Sequence, residues 1–360
     1  MRLMSIDAVM PGMVLSRPVY GIDGRRWLAQ GVELTQHYID RLRELGILMV
    51  YVWDEATSGV EVRDVVSDET RSRAMAIVCK MLAEASRGTI HARRMALYSE
   101  ASDAVGAIID ELRSKMRTVV SIMNLKSFDG YTYEHSVNCC ILGIMTGMGL
   151  KYNDIKLRNL GIGLLMHDIG KMMVPRDILN KAGSLDPWEF RRVQMHPEAG
   201  FKLLSEDDEI SATSRVICLQ HHERCDGSGY PRGLTIDSIQ EFARIGAVVD
   251  VYDALTSDRI YRPAYMPSQA AEILRRGAGR EFDPEIVEEF LSHIAPYPIG
   301  ATVRLSTGQS AVVVDINTDD IARPVVRILG QDEEARAANA GEEIDLSKHR
   351  EINIAFCLRP

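Results

Sequence analysis

The chain has 360 residues, 46% of them apolar, and a formal charge of −9, so it can bury a sizeable core over two or three domains. With that acidic balance and no run of five or more Lys/Arg, composition argues against a nucleic-acid polymer as partner. The apolar stretch Cys139 to Leu150 falls short of the roughly 18 residues that span a bilayer, and Asp7 interrupts any signal-like N-terminus, so a cytoplasmic protein with no membrane span is expected.

Up to about residue 60, short apolar stretches alternate with turn signals, and Gly21 to Gly24 reads as a hairpin turn. "LTQHYIDRLRELGI" then predicts one helix, with Thr35 as N-cap and Gly46 as its stop, and "ILMVYVWD" predicts a strand. From Asp68 to about Leu125 the 3–4 spacing of Met75, Val78, Cys79 and Leu82 predicts long amphipathic helices, broken at Gly88 and Gly106. These helices either pack on the core or form a dimer. Further helices fill residues 126 to 295, and β-branched strands follow in "ATVRLSTGQSAVVVDIN", "PVVRIL" and "INIAFCL". The six cysteines, 79, 139, 140, 218, 225 and 357, form no CxxC pair and read as reduced, mostly buried thiols.

Chemistry concentrates between positions 135 and 250, where His135, His167, Asp168, His196, His221, His222 and Asp250 lie in helical or helix-flanking text. In "LRNLGIGLLMHDIGK" a continuous helix would set Leu160, Leu164 and His167 on one buried row, with Asp168 about 100° round. Small residues, Gly246, Ala247 and Ala254, surround Asp250 and leave room for a cation or a close helix contact. Alone, His135 reads as a satisfied core histidine and His196 as a helix-end cap. Together, imidazoles and carboxylates without paired cysteines suit iron, manganese or zinc rather than a structural thiolate site. Seven ligands exceed what one tetrahedral ion needs, which suggests two ions sharing Asp168, a site suited to phosphoester hydrolysis.

In order, "HDIGK", "HHERCDGSGYP" and "DVYDALTSDRIYR" resemble the HD-GYP family of HD phosphohydrolases over about residues 123 to 292. The resemblance implies an all-helical catalytic domain, over 123–295. With the elements read above, the chain is expected to be mainly α, with a small α/β accessory domain over 1–64 and linking helices over 65–122 before that domain and a short β module over 296–360 after it. The resemblance also implies hydrolysis of cyclic di-GMP to linear pGpG or on to GMP. His135, His167, Asp168 and Asp250 resemble the HD-type metal set, and His196, His221 and His222 the ligands of a second metal. Some members carry a glutamate four residues before the first histidine that supports a third ion; Tyr131 stands there, so two divalent ions are expected, iron or manganese, with zinc also compatible.

Asp168 and Lys171 are the expected catalytic residues, Lys171 reaching a phosphate oxygen where otherwise it would be a solvated helix-end cation. Arg259 and Arg262 resemble the family's phosphate contacts, and Tyr230 the tyrosine beside the bound dinucleotide. Gly227 and Gly229 let the loop turn, Pro231 stiffens it, and Cys225 stays out of the site. Signalling-protein partners such as a diguanylate cyclase, and a homodimer, are further expectations. The rivals are an adaptor docking partners through the Gly-Tyr-Pro loop with little hydrolysis, and a hydrolase of another cyclic dinucleotide.

Overall fold

The computed structural model describes residues 2–21, 26–45, 47, 49–53, 65–87, 91–115, 131–179, 181, 183–206, 208–257, 264–329 and 341–357. At the N-terminus β1 (Arg2–Ser5) pairs antiparallel with β4 (Met49–Val52), and β2 (Val19–Tyr20) with β3 (Arg26–Leu28). Between them runs α1 (Gln36–Glu44), where the Thr35 hydroxyl accepts from the backbone N–H of Tyr38 as the N-cap. Ile6, Leu15, Leu34, Ile39, Leu42 and Val50 close a separate small core.

Two long helices follow, α2 (Asp68–Arg87) and α3 (His91–Ser114). Their apolar stripes enter the same core as the helices after them, through Ala74, Ile77 and Leu82 on one and Ala104, Val105 and Ile108 on the other. Gly106 does not break α3, contrary to expectation. A Cβ at that position would stand 3.1 Å from the Arg158 guanidinium, so the missing side chain admits Arg158, which donates to the Ser102 carbonyl at 2.8 Å.

At the centre stands α4 (Tyr131–Gly149), apolar nearly all round, which is the signature of a buried helix. Against it pack α5 (Asp154–Leu165), α10 (Glu241–Leu255) and α12 (Pro284–Ser292), and the domain also holds α6 (Arg176–Leu179), α7 (Pro187–Val193), α8 (His196–Leu204), α9 (Ala212–Gln220) and α11 (Pro267–Gly277). Side chains such as Ile141, Leu142 and Ile144 lose all contact with water, each worth about 1.5–3 kcal/mol of burial.

Beyond the helices β5 (Thr302–Leu305), β6 (Ser310–Asp315), β7 (Val325–Ile328), β8 (Glu343–Asp345) and β9 (Ile354–Cys357) form one antiparallel sheet in the order β8-β7-β6-β5-β9. Val303, Leu305, Val313 and Val326 fill its own core. All six cysteines are free; Cys139, Cys140 and Cys218 are buried and the others half-buried. No described helix is long and apolar enough to cross a membrane.

Candidate metal centre

The HD dipeptide does not continue the helix before it. Helix α5 stops at Leu165, Met166 is its C-cap, and a 3-10 turn begins only at Ile169. The physical reason lies in an end-of-helix carbonyl: Nδ1 of His167 donates to the Leu164 oxygen at 2.7 Å. That bond ends the helix and also turns Nε2 inward.

Two other histidines repeat the device. Nδ1 of His196, at the start of α8, donates to the Val193 carbonyl at 2.7 Å, and Nδ1 of His221, the C-cap of α9, reaches the Ile217 and Cys218 carbonyls at 3.0 Å. His135 on α4 differs, since its Nδ1 bonds the Asp253 carboxylate at 2.8 Å. In each case the outer nitrogen is occupied and Nε2 points into the centre, the arrangement by which metal-binding imidazoles are oriented.

Asp168 sits between the two sets. Its Oδ2 lies 3.4 Å from Nε2 of His167 and 3.7 Å from Nε2 of His135, while Oδ1 lies 3.3 Å from Nε2 of His196 and 3.7 Å from Nε2 of His221. Asp250, half-buried on α10, approaches His135 Nε2 at 3.1 Å and His222 Nδ1 at 3.7 Å. The ligand atoms thus form two groups, His135, Cys139, His167 and Asp250 in one and Asp168, His196, His221 and His222 in the other, each within 4.8 Å. All seven residues singled out from the sequence therefore meet in one place.

Electrostatics favours a cation there. Burial holds the His167 imidazole down to about 4 and lowers those of His196 and His222 as well. Burial would push the Asp168 and Asp250 carboxyls up, but Lys171 and His167 beside the first, and His135 and His222 beside the second, hold both well below the carboxylate range. Because Nδ1 of His196 is taken by the Val193 carbonyl, its Nε2 is the atom that faces Oδ1 of Asp168, at 3.3 Å. That oxygen is buried and makes no hydrogen bond, a cost of about 1–3 kcal/mol or more for a charged group. The nitrogen pairs His135–His167 and His196–His221 stand 3.2 and 3.4 Å apart, and two nitrogens at ordinary zinc distances of one tetrahedral ion are about 3.3 Å apart. The donor set fits divalent metal.

Lys171, on the 3-10 turn, donates from Nζ to Asp168 Oδ2 at 2.5 Å. Tyr230 leans on His222 with ring centroids 4.7 Å apart and on Phe190 at 6.4 Å. Its loop is shaped by Glu223, whose buried carboxylate accepts the backbone N–H groups of Arg232 and Leu234 at 2.8 and 2.9 Å. Gly227 takes φ +80°. Gly229 is needed for a different reason: a Cβ would come within 2.5 Å of the Glu223 Cα and the His222 carbonyl and within 2.3 Å of the Arg224 nitrogen. Cys225 is half-buried and belongs to neither ligand group. Arg259, Arg262 and the Tyr131 side chain lie outside the described residues.

Sequence reasoning missed four residues. Cys139 sits one turn after His135, its sulfur 3.7 and 3.8 Å from the two ring nitrogens, and burial pushes its thiol up to about 12. Asp253 is i+3 from Asp250 on α10, and Asn138 is i+3 from His135 on α4, spacings that put them on the ligand face. Nothing in its own spacing marks Glu223.

Comparison with known proteins places the chain among HD-domain proteins. The family profile described as HD domain matches residues 122–286, and that described as KOW domain associated with HD domain matches 302–360. The chain is 40% identical over 259 residues to the cyclic di-GMP phosphodiesterase PA4108 of Pseudomonas aeruginosa, covering 71% of this chain and 61% of that protein's length. It is 30% identical over 297 residues to the cyclic di-GMP phosphodiesterase response regulator RpfG of Xanthomonas campestris pv. campestris, covering 80% and 74% of the two chains. Among solved structures, the HDG"Y"P protein Bd1817 of Bdellovibrio bacteriovorus superposes with a TM-score of 0.52 at 18% identity, over 80% of this chain and 97% of that one. At that identity the likeness is one of fold.

Proposed function

The chain belongs to the HD-GYP family of HD phosphohydrolases, and on that premise we propose that it is a metal-dependent phosphodiesterase that opens cyclic di-GMP to linear pGpG or on to GMP. The observation that carries the reading is Asp168, whose two carboxylate oxygens face two different sets of imidazoles. His135, His167 and Asp250 would hold one ion with Asp168, and His196, His221 and His222 a second, with iron or manganese the expected metals and zinc compatible with the donors. Bound there, divalent ions supply Lewis-acid polarisation of the phosphoryl oxygens and a nucleophilic water near neutral pH.

The remaining work falls to the chain itself. Backbone carbonyls and Asp253 lock the imidazoles so that no reorganisation is needed when phosphate arrives. Lys171 keeps an ammonium at the edge of the centre, where it offsets the charge of a phosphate oxygen. Tyr230 and Phe190 form an aromatic wall beside His222 on which a guanine can stack. Arg259 and Arg262 are proposed as phosphate clamps on the strength of the motif. Free thiols throughout agree with a reducing, cytoplasmic setting.

The function is tested by loading the chelator-stripped protein with Fe2+, Mn2+ or Zn2+ and following cyclic di-GMP, pGpG and GMP by chromatography, with cyclic di-AMP as comparator. Metal-dependent appearance of pGpG or GMP supports the proposal. Bound metal without turnover favours the adaptor, and faster loss of cyclic di-AMP favours another cyclic dinucleotide. A further outcome concerns the loop. Overpacking at Gly229 costs about 1–3 kcal/mol, which is borne by the turn that carries Tyr230, and about 1.4 kcal/mol is tenfold in affinity. Gly229→Ala is therefore expected to raise KM for cyclic di-GMP about tenfold with metal content at the parental level, as measured by steady-state kinetics beside metal analysis.

A further inference from the structure

Three of the inward-facing imidazoles, His167, His196 and His221, are oriented by carbonyls a turn away in their own segments. His135 is oriented by a chain of side chains that leaves the HD domain. Asp253 accepts from His135 Nδ1 with Oδ2, and its Oδ1 accepts from Nδ2 of Asn138 at 3.0 Å. The Asn138 Oδ1 in turn accepts from Nη1 of Arg71 at 2.8 Å. Each link has one polarity only: a guanidinium donates and a carboxylate accepts, so the amide of Asn138 is fixed with its oxygen toward Arg71 and its nitrogen toward Asp253. Asn138 and Asp253 are both fully buried, so water does not substitute for either contact.

Arg71 lies in the first turns of α2, upstream of residues 122–286 that match the HD domain. The start of that helix is also gripped from the N-terminal segment. Arg17 pairs with Asp68 at 3.8 Å, one turn before Arg71, and its guanidinium lies over the Tyr51 ring at 5.3 Å. A displacement of α2 therefore reaches His135 through three hydrogen bonds in series, from Arg71 to Asn138, from Asn138 to Asp253 and from His135 to Asp253.

We propose that Arg71 is a positioning residue of the metal centre: through Asn138 and Asp253 it fixes the His135 imidazole, so the helix before the HD domain sets the affinity of one of the two ions. The inference rests on the two-ion reading above and adds to it an input from the linking helix. Losing an outer partner of a metal-bound histidine typically weakens metal binding by about 10- to 100-fold, and the loss falls on the ion held by His135, because the other imidazoles do not share the chain.

The test titrates the chelator-stripped full chain with Co2+, read by its absorption and by equilibrium dialysis, in the parent, Arg71→Gln, Arg71→Lys and Lys80→Gln. Lys80 is an exposed residue of the same helix, paired with Glu100 at 3.0 Å, and serves as the control. Expected is binding of two ions by the parent and by Lys80→Gln, with one of the two weakened about 10- to 100-fold in Arg71→Gln and the other unchanged. Arg71→Lys, which keeps a charged donor and guards against a variant that fails to fold, falls between. Two ions bound at parental affinity in Arg71→Gln, or equal weakening of both, overturns the inference while leaving the function intact. A parent that binds no ion overturns the proposed function and this inference with it.

Discussion

Replacing Asp168 by asparagine is expected to lower hydrolysis of cyclic di-GMP about a thousandfold and to leave no more than one of the two ions bound. Asparagine keeps the size of the side chain but exchanges one oxygen for an NH2 group that donates and does not ligate. The two oxygens face separate sets of imidazoles, so one amide is enough to take a ligand from one set whichever way it turns. A Lewis-acid ion contributes several kcal/mol to the transition state, and about 4 kcal/mol corresponds to a thousandfold in rate. The variant also removes the negative charge that Lys171 meets at Asp168 Oδ2. Steady-state kinetics and metal analysis on one preparation measure both effects, and a variant that keeps parental kcat with two ions bound contradicts the assignment.

The second large effect is expected at Gly170, inside HDIGK. A Cβ there would lie 2.0 Å from the His196 carbonyl oxygen, 2.6 Å from the Gly200 nitrogen and 2.9 Å from the His196 carbonyl carbon. All three are backbone atoms of α8, so no side chain can swing aside, and the 3-10 turn that carries Lys171 must move away from the helix that carries His196. Gly170→Ala is expected to cost about 3 kcal/mol, the upper end for overpacking, a loss on the order of 10 °C in melting temperature. The same separation draws His196 away from Asp168 Oδ1 and weakens the ion held there. Thermal melting followed by circular dichroism, with metal content on the same samples, measures both. An alanine variant that melts with the parent would show that α8 and the turn are less tightly apposed than their backbones indicate.

The seven proposed ligands were legible because their chemistry is unusual for a core: five histidines and two aspartates in apolar helical text require partners. Their backbone was not legible in the same way. Periodicity carried the α5 helix through His167 and Asp168, whereas the structure ends it at Leu165, because a histidine side chain that takes the last free carbonyl competes with the next helical N–H and periodicity does not register that bond. Gly106 misled in the opposite sense, since a glycine inside a helix serves a close neighbour, Arg158, as readily as it breaks the helix. Strand β8, only three residues and largely polar, had no alternation to reveal it.

The residues behind the ligands divide by distance. Asp253 and Cys139 share helical faces with Asp250 and His135, and an i+3 or i+4 scan from each ligand finds them. Arg71 is 67 residues before Asn138 and reads in the sequence as one more cation on an amphipathic helix. Only the packing of α2 against α4 reveals what it touches.

The central claim is that two sets of ligands joined by Asp168 act together on a cyclic dinucleotide. It is tested most directly by single-turnover conversion of cyclic di-GMP by chelator-stripped protein reloaded with increasing Mn2+. The account predicts no conversion without metal and a rate that reaches its plateau only when the second equivalent is bound. Full conversion by the stripped protein, or none at two bound equivalents, would contradict it.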